Sequence, residues 1–185
     1  MMVYNFSPFP DLKTKRLLLR QIEKTDVAEI LALRSDPKTM EFIPRPLLHT
    51  TEDALEHIAI INDKIEKNEA INWAITFRES NKLIGIIGHY RIAVENHRAE
   101  IGYMLLPEYH GQGITTEAVE EVIKYGWNQM QLHSIEAIID PSNYASAKVL
   151  EKNGFIKEGY LRENVFFNGQ YLDSVIYSLL KKVKI

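Results

Sequence analysis

HGQGITT, residues 110–116, follows a strand-like run from Glu100 to Leu106 and precedes an amphipathic helix that begins near Glu117 in the hydrophobic pattern. Its two glycines can adopt positive φ without strain, so the loop can direct several N–H groups towards one point. Converging N–H groups at a helix N-terminus form a binding site for an anion such as phosphate. The stretch is therefore either a phosphate site or a tight turn whose glycines serve only the backbone.

Composition narrows the class of protein. The chain has 185 residues, 45% of them hydrophobic and 25% charged, with a formal net charge of −3, which is typical of a globular domain and not of a protein that follows nucleic-acid phosphates. The absence of cysteine excludes a thiolate nucleophile and a disulfide scaffold. Met1 to Pro10 lacks the pattern of a signal peptide, and no apolar run reaches the ~18 residues of a membrane span. We expect a single domain over residues 1–185, in the cytoplasm, without nucleic-acid or membrane partners.

Hydrophobic periodicity predicts a mixed α/β (α+β) fold. The order is one strand, two helices, a meander of three antiparallel strands, then helix, strand, helix and a final hairpin. Thr25 is the expected N-cap of the first helix, Gly154 is the expected residue after the last, and Asn168-Gly169 predicts a type I′ turn. Predicted strands lie at 16–21, 71–78, 83–94, 100–106, 135–139, 161–167 and 171–180. Predicted helices lie at 25–36, at 51–68 with Leu55, Ile58, Ile61 and Ile65 in the core, after the glycine loop, and at 143–153.

Three phosphate-binding chemistries are distinguishable at the loop. A nucleoside triphosphatase loop requires Lys after the second glycine, where Ile114 stands. A dinucleotide fingerprint requires a third glycine or alanine where Thr116 stands, within a parallel βαβ unit, and the preceding strands form a meander instead. The third chemistry is a pyrophosphate bound by successive N–H groups, with the rest of the ligand along the preceding strand. Nucleotide binding stays open as the less favoured alternative.

Four further motifs accompany the loop in a fixed order. They are TKRLLLR at 14–20, AEIGYML at 99–105, NYAS at 143–146 and VLEKNGF at 149–155. Together with the loop and Thr116-Glu117-Ala118, they resemble the GNAT superfamily of acyl-CoA-dependent N-acetyltransferases over nearly the whole chain. The resemblance is greatest to the branch of bacterial ribosomal-protein alanine N-acetyltransferases.

The resemblance implies a mostly antiparallel sheet that is splayed between the fourth and fifth predicted strands, with coenzyme A between them. The pantetheine would pair with the strand edge as a small-molecule form of β-augmentation. The main chain of Met104, Leu105 and Leu106 would contact pantetheine and the thioester. The pyrophosphate would be held by the amides of Gly111, Gln112, Gly113, Ile114, Thr115 and Thr116. Glu108 stands where the superfamily often has Arg or Gln, so we expect its carboxylate to point away from the phosphates.

Acetyl transfer to an amine requires a base and a donor for the carbonyl oxyanion. In the family pattern Glu100 is the candidate base, which accepts the amine proton directly or through a water molecule. The oxyanion donor would be the N–H group of Met104 or Leu105. Alternatively, Glu100 is only a strand residue that forms a salt bridge with Arg91 or Arg98.

The leaving thiolate requires a hydrogen bond or a proton. Asn143, Ser146 and Leu150 share one face of the predicted last helix, and many superfamily members have tyrosine at the Leu150 position. Leucine cannot donate a proton, so Ser146 is the favoured candidate, with Tyr103 and Tyr144 as alternatives of better-matched acidity. Ser146 also fits a role in helix packing alone. Asn143 fits both an N-cap and a coenzyme contact.

These residues predict an acetyl-CoA-dependent N-acetyltransferase that acts on a protein N-terminus or a small amine by direct attack. The alternative is a non-catalytic acyl-CoA-binding module, which the leucine at position 150 permits. We expect no metal, because the six histidines form no i,i+4 pair and no cysteine accompanies them. The loop from Phe42 to Arg45 is the expected wall of the acceptor site. A homodimer is left open.

Overall fold

The computed structural model describes residues 4–182, which form a mixed α/β fold around an eight-stranded sheet. The strand order is β1-β2-β3-β4-β5-β6-β8-β7, and every neighbouring pair is antiparallel except β5 with β6. The strands are β1 (Leu12–Lys13), β2 (Leu17–Arg20), β3 (Ile71–Phe77), β4 (Gly85–Ala93), β5 (Arg98–Leu105), β6 (Ser134–Ile139), β7 (Ile156–Phe167) and β8 (Gln170–Leu180). The helices are α1 (Val27–Ser35), α2 (Thr51–Glu66), α3 (Ile114–Asn128) and α4 (Tyr144–Lys152). The expected fold class is confirmed.

Helices cover both faces of the sheet. Trp73 of β3 packs edge-on against Tyr125 of α3, with ring centroids 5.1 Å apart, and a ring nitrogen of His89 in β4 lies 3.1 Å from the Val122 carbonyl oxygen in α3. Side chains alternate along a strand, so the neighbours of Trp73 and His89 point to the opposite face, where α2 packs on β3 and α1 packs on α2. We call these the α3 face and the α1/α2 face.

A gap opens in the sheet between β5 and β6. Their last paired residues are Glu100 and Glu136, after which β5 continues to Leu105 and pairs only with β4. Over the same stretch β6 pairs only with β8. The expected splay between the fourth and fifth predicted strands is therefore present, and it lies between β5 and β6 because the short β1 was not predicted.

Two details of the predicted helices are wrong. Thr25 is not an N-cap: a 3-10 turn occupies Lys24–Asp26, and Asp26 precedes α1. The Asp26 carboxylate accepts hydrogen bonds from the Glu23 N–H group and from the buried Arg20 guanidinium, which fixes this turn in place of a threonine cap. Leu55 is 37% exposed, because the buried stripe of α2 runs through Ala54, Ile58, Ile61 and Ile65.

The turn predictions after the glycine loop are confirmed. Gly154 follows α4 with φ of 85°, and Asn168 and Gly169 both have positive φ, as a type I′ turn requires. The strand before this turn is longer than predicted, because β7 begins at Ile156. Likewise, α3 begins at Ile114, three residues before the predicted start, so the end of the HGQGITT loop is the first turn of the helix.

Candidate active site

The glycine loop presents free N–H groups in front of α3. Gly111 and Gly113 adopt φ of 75° and 74°, and the first hydrogen bond of the helix runs from the Glu117 N–H group to the Gly113 carbonyl. Within residues 4–182, none of the N–H groups from Gly111 to Thr116 donates a hydrogen bond to another part of the chain. Free N–H groups at the positive end of a helix dipole are an anion site.

Side chains from distant segments hold the loop in place. Arg16 in the segment before β2 donates from Nε to the Glu117 carboxylate at 2.6 Å and from its terminal nitrogen to the Gln112 carbonyl at 3.0 Å. The His110 ring nitrogen lies 2.9 Å from the Leu105 carbonyl oxygen, which ties the loop to the end of β5. Arg16 was not predicted as a site residue, because its link to Glu117 spans about half of the chain.

The main chain of β5 has groups directed into the gap. The His97 carbonyl accepts from the Ser134 N–H group on the β6 side, whereas the Leu106 N–H group donates to Ile84 on the β4 side. Backbone direction alternates along a strand, so Tyr103 and Leu105 direct their main-chain groups towards the gap. The Met104 carbonyl oxygen instead lies against Gly85 of β4. Of the two predicted oxyanion donors, this geometry favours Leu105.

Glu100 lies at the point where the gap opens, with its side chain on the α1/α2 face. Its carboxylate accepts a hydrogen bond of 2.8 Å from Arg91, so the salt bridge named in the alternative to a catalytic role is present with Arg91. A β-bulge between Tyr90 and Ala93 places Arg91 at φ of 44°, and bulges of this kind redirect side chains beside functional sites. The Glu100 side chain is 16% exposed, against 63% for Arg91.

The surroundings of Glu100 favour its protonated form. Burial raises the pKa of the Glu100 carboxyl, the Arg91 guanidinium opposes the rise, and the neighbouring Glu136 adds to it. Arg45, in the predicted acceptor-site loop, also lies close enough to lower the pKa of Glu100. A carboxylate with a raised pKa that remains ionised at neutral pH is a stronger base than an ordinary surface glutamate.

The α3 face carries the candidate donors for the leaving group. The Tyr103 hydroxyl lies 3.4 Å from the Ser146 carbonyl oxygen, and burial raises the pKa of Tyr103 to about 12. The Asn143 side-chain oxygen caps α4 by accepting from the Ser146 N–H group at 3.0 Å, which confirms its predicted N-cap role. Leu150 is fully buried and Tyr144 is 72% exposed, so Ser146 and Tyr103 are the two hydroxyls brought together on this face.

An open groove of about 420 Å³ beside α1 shares one residue, Leu106, with the predicted coenzyme site. Glu108 lines it together with Leu106 and with Ala28 and Ala32 of α1, and no candidate catalytic residue contributes to it. Within residues 4–182, no group of three or more histidine or acidic side chains has the geometry of a metal site. In the same part of the chain, each helix is too short or too polar to cross a lipid bilayer.

Sequence and structure comparisons place the chain among acetyltransferases. Residues 16–156 match the family described as "Acetyltransferase (GNAT) domain". The N-acetyltransferase YoaA of Bacillus subtilis, an uncharacterized protein, is 35% identical over 173 residues, which cover 94% of this chain and 98% of YoaA. The crystal structure of a GNAT-family acetyltransferase from Bacillus anthracis has a TM-score of 0.82 at 30% identity and covers 92% of this chain and 98% of that chain.

Two further relatives have a named acceptor. Spermidine N(1)-acetyltransferase of Vibrio cholerae is 27% identical over 159 residues, covering 85% of this chain and 89% of that enzyme. The ribosomal-protein-S5-alanine acetyltransferase structure from Vibrio fischeri has a TM-score of 0.80 at 26% identity, covering 92% of this chain and 96% of that chain. The relatives therefore differ in acceptor while sharing the fold.

Proposed function

The chain belongs to the acetyltransferase (GNAT) family, and we propose that its Glu100, gap and glycine loop together transfer an acetyl group from acetyl-CoA to a primary amine. The family and its relatives support acetyl-CoA-dependent N-acetylation as the reaction. The roles of individual residues are our proposal, as is the assignment of residues 1–185 to one domain, which a shared hydrophobic core supports.

One observation supports the assignment of residues: the open edge of β5 begins after Glu100, and the loop with its free amides follows the other end of that strand. The pyrophosphate would accept hydrogen bonds from the amides of Gly111 to Thr116. The pantetheine would run along the gap beside β5, where Tyr103 and Leu105 present main-chain groups. The thioester would then lie near the point where β5 and β6 separate, which is where Glu100 stands.

The acceptor amine would enter from the α1/α2 face. Its ammonium group gives one proton to the Glu100 carboxylate, and the neutral nitrogen attacks the thioester carbonyl. The Leu105 N–H group stabilises the oxyanion. The N–C bond forms, the C–S bond breaks, and the second amine proton passes to the thiolate sulfur, which leaves an amide and free coenzyme A.

The leaving thiolate would lie on the α3 face. Ser146 can donate a hydrogen bond to the sulfur, and Asn143 can contact the coenzyme through its side-chain nitrogen, because its oxygen is used in the cap. Tyr103 stays protonated at neutral pH, since its pKa is raised to about 12 by burial. It therefore acts as a hydrogen-bond donor and not as an acid for a thiolate of much lower pKa.

The acceptor would be a protein N-terminal amine or a small amine, as in the relatives with named acceptors.

We also propose a homodimer formed through the terminal hairpin. Large apolar side chains are exposed on β7 and β8, namely Ile156, Tyr160, Leu161, Phe166, Tyr171 and Leu180. Two of them, Phe166 and Tyr171, lie side by side with ring centroids 5.0 Å apart, and exposed apolar surface of this kind can form an interface. Sedimentation velocity of the wild type and of Phe166→Ser tests this, and a monomer at all concentrations would contradict it.

Thiol release from acetyl-CoA, measured across peptides, amino acids and polyamines, tests the activity. Thermal shift with acetyl-CoA, ATP and NAD accompanies it. We expect acetyl-CoA alone to stabilise the fold and at least one amine to give thiol release. Stabilisation by acetyl-CoA with no thiol release for any amine would favour the non-catalytic module, and stabilisation by ATP or NAD instead would favour nucleotide binding.

A further inference from the structure

The α1/α2 face beside Glu100 contains buried hydrogen-bond donors that lack a well-aligned partner in the protein. Asn72 is 2% exposed, and within residues 4–182 its Nδ2 has no acceptor at hydrogen-bond distance and angle, although the Asn72 side chain is near enough to the Tyr90 hydroxyl to lower the pKa of Tyr90. The Nε of Arg34, in the last turn of α1, is also buried without a partner in that range. A buried donor without a partner costs about 1–3 kcal/mol, so two such groups beside a candidate catalytic residue indicate a ligand that accepts hydrogen bonds.

The strand register places these groups next to one another. Gly88 of β4 pairs with Gly102 of β5. The side chain of Asn72 lies over Gly88, with Nδ2 2.8 Å from the position a Cβ would take there, and the ring of Tyr90 lies over Gly102, with a ring carbon 3.1 Å from the corresponding position. The glycine pair therefore gives room on the sheet for two polar side chains beside Glu100.

Two guanidinium groups complete the cluster. Arg34 and Arg45 form no ion pair within residues 4–182, whereas Arg16, Arg20 and Arg91 each have a carboxylate partner. Burial lowers the pKa of Arg34, Tyr90 opposes this, and the charge of Arg45 lowers it further, so Tyr90 and Arg45 both interact electrostatically with Arg34. Arg45 also interacts electrostatically with Glu100, and the strand register that pairs Tyr90 with Glu100 connects these groups to the proposed base.

The two carboxylates of this face, Glu100 and Glu136, each have an arginine partner, which leaves the charges of Arg34 and Arg45 without one within residues 4–182. Glu100 is already bonded to Arg91, and its neighbour Glu136 lies 3.7 Å from Arg98. Burial lowers the pKa of His57 in α2 to about 4, and Arg34 contributes in the same direction, so His57 is neutral at neutral pH and adds no negative charge. A polyamine would bring further positive charge to two unpaired guanidinium groups, whereas a carboxylate would pair with them.

We propose that the acceptor carries a carboxylate alongside its primary amine, with Arg34 and Arg45 binding the carboxylate while Glu100 receives the amine proton. This inference rests on the proposed acetyl transfer and specifies its acceptor. The carboxylate can come from a free amino acid or from an acidic side chain near a peptide N-terminus. Asn72 would act as a further donor to the same group.

The test compares acceptors with and without a carboxylate. Thiol release is measured with alanine, serine and glutamate, with their carboxamides, with tripeptides carrying glutamate or glutamine at the second position, and with spermidine. We expect kcat/KM for the carboxylate forms to exceed that of the amides by about 10- to 100-fold, the range for one charged hydrogen bond. Preference for free amino acids or for the glutamate peptides identifies the source of the carboxylate. Equal values for acid and amide, or a preference for spermidine, would overturn the proposal.

Arg45→Gln supplies the protein side of the test, because Arg45 is exposed and its replacement leaves the core intact. We expect the KM of the carboxylate acceptor to rise about tenfold or more while the KM of acetyl-CoA is unchanged. Arg162→Gln, an exposed arginine of β7, is the control for loss of one positive charge. Arg34→Gln should have the larger effect if it folds.

Calorimetry separates this inference from the proposed activity. N-acetylated amino acids and their N-acetylated carboxamides, which are potential products, are titrated into wild type and Arg45→Gln without turnover. Selective binding of the carboxylate form to the wild type supports the inference even if no amine gives thiol release, which would count against the proposed activity alone. Equal binding of both forms overturns the inference even if thiol release is observed.

Discussion

The two faces of the sheet at the gap offer different kinds of chemical group to a ligand. On the α3 face the proposed coenzyme site consists of main-chain groups, namely the amides of Gly111 to Thr116 and the open edge of β5. On the α1/α2 face the proposed acceptor site consists of side chains, chiefly Glu100, Arg34 and Arg45. Main-chain sites depend on local conformation, and side-chain sites depend on residues brought together from distant segments.

This difference accounts for what relatives share and where they diverge. Amides in a glycine loop can bind the same pyrophosphate with many side chains around them. A pocket lined by side chains from α1, the following loop and three strands can change its acceptor specificity through a few substitutions. The relatives with named acceptors, spermidine and a ribosomal-protein alanine, fit this pattern.

Glu100→Gln should have the largest effect on kcat, and it tests whether the α1/α2 face can be impaired while coenzyme binding on the α3 face is retained. Loss of a general base lowers kcat by about 10²- to 10⁴-fold, while the coenzyme site on the other face is untouched. Steady-state thiol release should show the fall in kcat with an unchanged KM for acetyl-CoA. Glu120→Gln, on the exposed surface of α3, is the matched control. Comparable losses in coenzyme binding would mean that the two sites are not separable.

Part of the pH dependence of stability should arise from His89 on the α3 face. His57 in α2, whose pKa is also lowered to about 4 by burial, contributes equally in the wild type and in a His89 variant. Burial lowers the pKa of His89 from 6.5 to about 4, with the bond to Val122 opposing this, so the unfolded chain binds its proton first as pH falls. The stabilisation from neutral His89 is therefore complete above the unfolded pKa and is lost between pH 6.5 and about 4. The full loss is of order 3 kcal/mol. Urea unfolding of the wild type and of His89→Gln across this window should show a smaller pH slope in the variant, and equal slopes would contradict the assignment.

Gly113→Val tests whether the loop is a site or only a turn. Gly113 has φ of 74°, which costs a non-glycine residue roughly 1–2 kcal/mol and more for a β-branched one. The amides would lose their alignment, so acetyl-CoA should bind about tenfold or more weakly, as measured by calorimetry. Gly159→Ala, at an open position of β7 without positive φ, is the control. Unchanged affinity in Gly113→Val would leave the loop as a turn.

Ser146→Ala and Tyr103→Phe probe the leaving-group side and should have the smallest effects. Each removes one neutral hydrogen bond, worth about 0.5–1.5 kcal/mol, so kcat should fall by up to about tenfold. Stopped-flow thiol release with both variants shows which hydroxyl serves the thiolate. A larger loss in Tyr103→Phe would move the role from Ser146 to Tyr103, and a loss of 10²-fold or more in either would show proton transfer and not hydrogen bonding.

Local sequence signals were sufficient for much of the fold. Gly154 and Asn168-Gly169 were placed correctly because their backbone conformations follow from residues beside them in the chain. Thr25 and Leu55 were misplaced because tertiary contacts decided both positions. The Asp26 carboxylate binds Arg20, which fixes the turn before α1, and the buried stripe of α2 runs through Ala54 instead of Leu55.

The candidate site likewise contains residues that the sequence could suggest and residues that it could not. The glycine loop and Glu100 could be proposed from motifs, because both belong to short stretches of sequence, with Glu100 inside β5 and the loop shortly after that strand. Arg16, Arg34 and Asn72 could not, since their roles depend on contacts across the fold that no short pattern encodes. Arg91 contacts Glu100 from a β-bulge between Tyr90 and Ala93. The sequence has no glycine in this segment, so the bulge could not be predicted from it.

We propose above all that Glu100 takes the proton of an amine presented to acetyl-CoA across the gap. The most direct measurement is kcat for thiol release as a function of pH, in wild type and Glu100→Gln, with both substrates saturating and activity rechecked after return to neutral pH. We predict an acidic limb in the wild type with a midpoint above that of an ordinary glutamate, because burial raises the pKa of Glu100. The variant should be slow and lack that limb. A variant that keeps the wild-type rate and the same acidic limb would contradict the account.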